Sequence, residues 1–198
     1  MSASLSLARF DSKKGSRSEP YHRGLARVPH PLRSKGWDFS PYDVAMCLIR
    51  PAAPSDLSAL ALMCHLLWPR ATTDEHAREL APILAGNSPG SMPEIFFLAQ
   101  HPDGRLAGFI QVDLRSHADG CDPARPVGYI EGWFVQPEFR RQGIAGQLLA
   151  EAERWARSQG CREMASDTWI DNVDSQSVHS ALGFEVVDRC VHYRKALI

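Results

Sequence analysis

The sequence predicts an α/β protein of the α+β kind, whose mixed and mostly antiparallel sheet is flanked by helices. Three observations carry this. Short apolar runs punctuated by Pro and Gly alternate with segments whose apolar residues recur at helical spacing. Two neighbouring runs are joined by His101-Pro102-Asp103-Gly104, a turn signal that folds one strand back on the other. Finally, 198 residues, 44% hydrophobic and 23% charged, suffice for one globular domain of ordinary size but not for a second catalytic one.

From Met46 onward the elements follow in order. Residues 47–50 are a short apolar run, read as a strand and closed by Pro51 and Pro54. Leu57, Leu60, Ala61, Cys64, Leu67 and Trp68 then fall at helical spacing until Pro69 stops them. A second helix is expected over 73–85, with Thr73 as its cap and Gly86 as its stop. Glu94–Gln100 and residues 106–114 are the two strands of the hairpin, and Val127–Val135 is a third apolar run. After Pro137 comes a basic, Gly-containing segment. A helix over 144–157 follows, with Ile144, Leu148, Leu149, Ala152, Trp155 and Ala156 on one face. Residues 162–167 read as a strand, a short helix precedes Gly183, and two closing strands are expected over 184–187 and 191–195. The predicted order is β-α-α-β-β-β-α-β-α-β-β.

The net charge of −1 averages two unlike pieces. Residues 1–45 carry eight Lys and Arg against four Asp and Glu, a net of +4, whereas 46–198 carry 14 against 19, a net of −5. A third of the first piece is Ser, Pro or Gly without apolar periodicity. A disordered basic leader is therefore expected over 1–45, with the folded domain at 46–198. Met46, followed at once by strand-like sequence, also admits an upstream start site as the leader's origin. A nucleic-acid arm or a transit peptide fits less well, because the basic residues are scattered and Asp11 and Glu19 interrupt them.

Composition disfavours other classes. No apolar run approaches the roughly 18 residues of a membrane-spanning helix, and the N-terminus lacks the apolar core of a secretory signal, so a cytoplasmic protein away from the membrane is expected. Five widely spaced cysteines without a CxxC pair read as reduced thiols. The histidines do not group with Cys, Asp or Glu at ligand spacing, so no metal is expected. An acidic domain whose only lysine is Lys195 opposes binding to nucleic acid and suits a polycationic partner.

The strongest chemical signal is Val135-Gln-Pro-Glu-Phe-Arg140-Arg141-Gln142-Gly143-Ile144-Ala145, a strand that feeds through a proline turn into a helix. Successive N–H groups at a helix start, with small residues exposing the backbone and two arginines adding charge, suit a diphosphate. A basic helix start with a small residue for packing is the plainer alternative. Glu131 lies inside the apolar run Tyr129-Ile130-Glu131-Gly132-Trp133-Phe134, where a carboxylate is costly unless paired or used. Asp167 ends a strand, either facing the crevice of the sheet or capping the next turn.

These elements together, with Asn172 and the helix ending Ala181-Leu182-Gly183-Phe184, resemble the GNAT superfamily of N-acetyltransferases over residues 46–198. Four segments in the same order are similar to the aminoglycoside 6'-N-acetyltransferases: Pro126-Val-Gly-Tyr-Ile-Glu131-Gly-Trp-Phe-Val135, Gly160-Cys-Arg-Glu-Met-Ala-Ser-Asp167-Thr, Val178-His179-Ser-Ala-Leu-Gly-Phe184 and Tyr193-Arg-Lys195. The resemblance implies a fold whose central strands splay to receive acetyl-CoA as cosubstrate. Arg140, Arg141, Gln142, Gly143, Ile144 and Ala145 would hold its pyrophosphate. Backbone groups of Phe134 and Val135 would pair with the pantetheine arm, which Asn172 would also contact, unless Asn172 is a helix cap.

Glu131, Asp167, Asp188 and Trp68 would line the acceptor site, with Glu131 or Asp167 as the base. A solvated strand-end carboxylate and a core tryptophan are the alternatives for Asp188 and Trp68. Many superfamily members have a tyrosine as general acid where this chain has His179, which leaves that role open. The resemblance further implies an aminoglycoside acceptor, antibiotic resistance and a homodimer. Another polyamine, a basic peptide or a non-catalytic acyl-CoA-binding module are the other readings.

Overall fold

A computed structural model of the protein describes residues 46–197 apart from 89 and 91. The leader expected over 1–45 lies outside the described residues. Five strands form one sheet in the order β1 (Leu48–Pro51), β2 (Glu94–Gln100), β3 (Leu106–Arg115), β4 (Val127–Val135) and β5 (Met164–Ser166). The first three pairings are antiparallel, and β4 with β5 is parallel. The His-Pro-Asp-Gly turn makes the β2–β3 hairpin as expected, with Gly104 at φ +90° and the Asp103 carboxylate accepting from Arg105 N–H at 2.9 Å.

Four helices, α1 (Leu57–Leu67), α2 (Thr73–Leu84), α3 (Ile144–Ser158) and α4 (Val173–Ala181), complete the regular elements, with 3₁₀ turns at Pro54–Asp56 and Pro137–Phe139. The period-2 alternation of strands buried on both faces sorts the core into two layers. Phe97, Ala99, Ile110, Val112 and Ile130 pack with Ile144, Leu148, Leu149 and Ala152 of α3. Phe96, Leu98, Phe109 and Phe134 pack with Leu60, Ala61, Met63 and Cys64 of α1 and Leu80 of α2. α3 is also the crossover that a parallel β4–β5 pairing requires.

Two expectations are corrected. The cap of α2 is Thr72, not Thr73: Thr72 Oγ1 accepts from Glu75 N–H at 3.2 Å, and the Glu75 carboxylate accepts from Thr72 N–H at 2.8 Å. Only Thr72 has an acid three residues on, which closes this reciprocal pair. The two closing strands do not form. Residues 184–197 carry no regular structure, and Val186 and Tyr193 are 69% and 93% exposed. A strand needs a ladder partner, and the outer edge of β5 offers only three residues.

Candidate active site

β4 pairs with β3 along its length but with β5 only through Gly128, Tyr129 and Ile130. Beyond Ile130 the two strands part, and residues 131–135 have no strand partner on that side among the described residues. The register adds a second irregularity. Gln111 faces Gly132 and Val112 faces Ile130, so Glu131 is one extra residue on β4, a bulge that re-aims its side chain.

At this bulge the sheet carries an ionic cluster. Arg115 of β3 pairs with Glu131, and its guanidinium lies 3.2 Å from the centroid of the Tyr129 ring. Tyr129 Oη donates to Asp167 at 2.8 Å, which joins the two sequence-predicted carboxylates through one arginine and one tyrosine. Burial, and then the bond to Asp167, push the Tyr129 phenol up, so it remains a donor. Trp68, at the end of α1, closes one wall. Its ring occupies the space that a Cβ on Gly132 would need and lies 6.2 Å from the Phe109 ring. Trp68, Glu131 and Asp167 are thus gathered in one region of the fold.

Asp188 is not. It is exposed in the irregular segment and accepts from Arg189 N–H at 2.6 Å, with no bond to the cluster among the described residues.

Three members of the cluster escaped the sequence reading: Asp113, Arg115 and Tyr129. Asp113 faces Tyr129 across the ladder and lies 3.8 Å from Arg115. Burial, and then the neighbouring Glu131 carboxylate, push its carboxyl up to about 7. Its signal was the one used for Glu131, a carboxylate inside an apolar run, here residues 106–114.

The other end of the opening is made of backbone. Val135 ends β4, its carbonyl accepting from Arg140 Nε at 2.9 Å, and Phe134 is buried against Phe109. Arg141 at φ 61° and Gly143 at φ 75° bend the chain so that Gln142, Gly143, Ile144 and Ala145 enter α3 with their amides at its start. The first amides of a 15-residue helix have no intrahelical acceptor and form a site for an anion. Buried Trp133 Nε1, on the unpaired stretch of β4, has no acceptor among the described residues, a donor that a ligand carbonyl could satisfy. The residues present therefore fit an acyl thioester with a diphosphate tail.

Asn172 caps α4, its Oδ1 accepting from Ser175 N–H at 3.2 Å, which leaves its amide NH₂ exposed. His179 is tied at both nitrogens. Nδ1 lies 2.8 Å from the Ser175 carbonyl and must donate to it, while Nε2 lies 3.1 Å from Ser166 Oγ, whose hydroxyl also reaches the Ile130 carbonyl at 3.4 Å. The cysteines are free, and burial pushes the thiols of Cys47, Cys64, Cys121 and Cys161 up, away from nucleophilic character. Among the described residues no group of three or more His, Cys, Asp or Glu is placed to hold a metal, and no helix is long and apolar enough to cross a membrane.

Comparison with known proteins gives a consistent set. The family model for the acetyltransferase (GNAT) family matches residues 60–184. Aminoglycoside N(6')-acetyltransferase type 1 of Klebsiella aerogenes is 40% identical over 151 residues, covering 76% of this chain and 97% of that protein. Its counterpart in Serratia marcescens is 41% identical over 143 residues, covering 72% and 94%. Among solved structures, AAC(6')-Iy in complex with the bisubstrate analog CoA-S-monomethyl-acetylneamine superposes with a TM-score of 0.68 at 38% identity, over 77% of this chain and 99% of that one.

Proposed function

The chain belongs to the acetyltransferase (GNAT) family, and from that premise we propose that it is an aminoglycoside 6'-N-acetyltransferase, which moves acetyl from acetyl-CoA to a primary amine of the antibiotic and so confers resistance. One observation carries the reading: a backbone anion site and a carboxylate-bearing bulge stand at opposite ends of the same unpaired stretch of β4. The relatives supply the chemistry, since the similar AAC(6')-Iy binds an analog that joins CoA to an acetylated aminoglycoside.

Acetyl-CoA lays its pyrophosphate on Arg140, Arg141, Gln142, Gly143, Ile144 and Ala145, and its pantetheine arm runs along Phe134 and Val135 with Asn172 beside it. Arg140 must release the Val135 carbonyl for that pairing, which frees its guanidinium for a phosphate. The register turns the Phe134 N–H toward β3, so the Val135 N–H, on the open edge of β4, is the amide that supports the developing oxyanion. The acceptor's ammonium groups settle against Glu131, Asp167 and the Trp68 wall, and Asp188 reaches the same acceptor if the 184–197 segment folds over it. One amine gives its proton to Glu131 or Asp167, directly or through water. The amine nitrogen then bonds to the thioester carbon, the C–S bond breaks, and the thiolate leaves. A thiol with a pKa of about 8.5 leaves as thiolate without help.

The domain at 46–198 carries the activity, so a chain begun at Met46 retains turnover. The protein acts in the cytoplasm and pairs with a second copy, a reading supported by the exposed Val186, Val187, Val191, Tyr193 and Leu197 and checked by light scattering. The deciding experiment follows thiol release from acetyl-CoA with aminoglycosides, polyamines and basic peptides. Turnover with aminoglycosides supports the proposal, and turnover confined to peptides overturns it. Acetyl-CoA binding without any turnover would point to a non-catalytic module.

A further inference from the structure

We propose that Asp113 is a positioning residue of the acceptor site: it shares a proton with Glu131, so that the pair, rather than Glu131 alone, takes up the proton that the acceptor ammonium gives away. The inference rests on the acetyltransferase reading and adds to it a residue that neither the sequence motifs nor the turn at 140–145 points to.

The geometry comes first. The bulge that makes Glu131 an extra residue on β4 turns it toward the face that carries Asp113 and Arg115. The Arg115 guanidinium joins the two carboxyl groups, pairing with Glu131 and standing 3.8 Å from Asp113 Oδ1, with the Asp113 and Glu131 side chains 26% and 27% exposed. Asp113 Oδ1 is buried and has no hydrogen-bond partner, because Arg115 Nε stands off at 3.8 Å and no other donor among the described residues reaches it. Two ionised carboxylates can only repel there. One proton between them makes a short charge-assisted bond and removes the repulsion.

The surroundings favour that proton. Glu94 of β2 stands opposite Asp113 in the ladder, Tyr129 of β4 opposite on the other side, and Asp167 behind Tyr129. Two carboxylates, those of Glu131 and Glu94, thus act on Asp113 against one guanidinium, that of Arg115. Burial acts in the same direction, and the Asp113 carboxyl is held near 7, within the range where an enzyme at neutral pH exchanges protons. In the reaction the ammonium N–H bond breaks with its electron pair left on nitrogen. The proton passes to the Glu131 carboxylate of the doubly ionised pair, Asp113 shares it, and water then removes it, restoring the doubly ionised pair before the next turnover.

Two measurements test this on the full chain. The first is the pH dependence of acceptor kcat/KM for wild type, Asp113→Asn and Asp113→Glu, with acetyl-CoA binding as the control for folding. Asn removes a like charge, so the acidic limb should move down by about one pH unit, a tenfold change at a fixed pH on the limb, and Glu should restore it. A merely structural Asp113 would lower the plateau and leave the limb in place, which would overturn the proposal. The second measurement needs no variant: the carboxyl carbon of Asp113, followed by NMR in the wild-type protein, should titrate near 7. A single independent transition below pH 5 would overturn the proposal even if the variants did not fold. Absence of turnover with every amine in the wild type would instead defeat the acetyltransferase reading, a separate outcome.

Discussion

The two ends of the opening beside β4 are built from different materials. At the 140–145 turn the working groups are amides, set by Arg141 and Gly143 in left-handed conformations and by the start of α3, and the side chains there do other things: Arg140 holds the Val135 carbonyl and Gln142 the Glu138 carbonyl. At the bulge the working groups are charges on side chains, placed by β3 and β4 and tied through Arg115 and Tyr129. A backbone site tolerates most substitutions that keep its φ and ψ. A side-chain site fails with the loss of one group.

The largest effect that could break this contrast is at Glu131. Glu131→Gln keeps size and polarity and removes the charge, so acceptor kcat/KM should fall by about 10²–10³ while acetyl-CoA affinity stays within about twofold. Equal losses in both, read by steady-state kinetics and by acetyl-CoA titration, would mean that the two ends are one unit. The reverse experiment is Gly143→Val. A β-branched residue at φ 75° costs about 1–2 kcal/mol, so the KM for acetyl-CoA should rise roughly tenfold with kcat at saturation little changed. Gln142→Ala, which leaves the amide in place, should change that KM by no more than about twofold.

The contrast also explains what was legible in the sequence. Periodicity and turn chemistry placed all five strands and four helices of the described fold to within a few residues, because a sheet buried on both faces writes long apolar runs and α3 writes a clean stripe. The 140–145 turn was legible because a backbone site needs particular small residues at fixed spacing. The acceptor end was half legible. Glu131 and Asp167 stood out as charges in or beside apolar runs, but pairing them needed Tyr129 and Arg115, and the bulge that aims Glu131 is a matter of register. Asp113 carried the same signal and was passed over. The closing segment misled for a physical reason: β-branched and aromatic residues such as Val186, Val187, Val191 and Tyr193 promise a strand only where a partner edge exists, and β5 supplies three residues.

A stability measurement sharpens the comparison further, with a smaller effect. Asp113 is held near 7 in the folded chain against about 3.9 unfolded. Its raised value means that the folded state binds the proton more tightly. The contribution to stability is full below pH 4 and is lost as pH rises through 7. Asp113→Asn escapes that loss. Its melting temperature relative to wild type should therefore climb between pH 5 and pH 8 by ~2–4 °C, about 1 kcal/mol, in thermal denaturation followed by circular dichroism. A constant difference across that range would mean that the carboxyl ionises freely. The turn at 140–145 has no such buried carboxyl, so Gln142→Ala should show no pH-dependent difference.

The smallest effect concerns Asn172, which stands between the two kinds of site. Its Oδ1 is spent on capping α4, so its side chain already serves the backbone, while its exposed amide NH₂ is the part proposed to reach the pantetheine arm. One substitution separates these duties. Asn172→Ser keeps an oxygen that can cap Ser175 N–H but removes the amide donor, so the melting temperature should hold while the KM for acetyl-CoA rises about threefold, the loss of one neutral hydrogen bond. Asn172→Ala removes both and should cost about 1 kcal/mol of stability in addition. If Ser matches wild type in KM and Ala differs only in stability, Asn172 is a cap alone, and the cofactor is held by the main chain of β4 and the 140–145 turn without it.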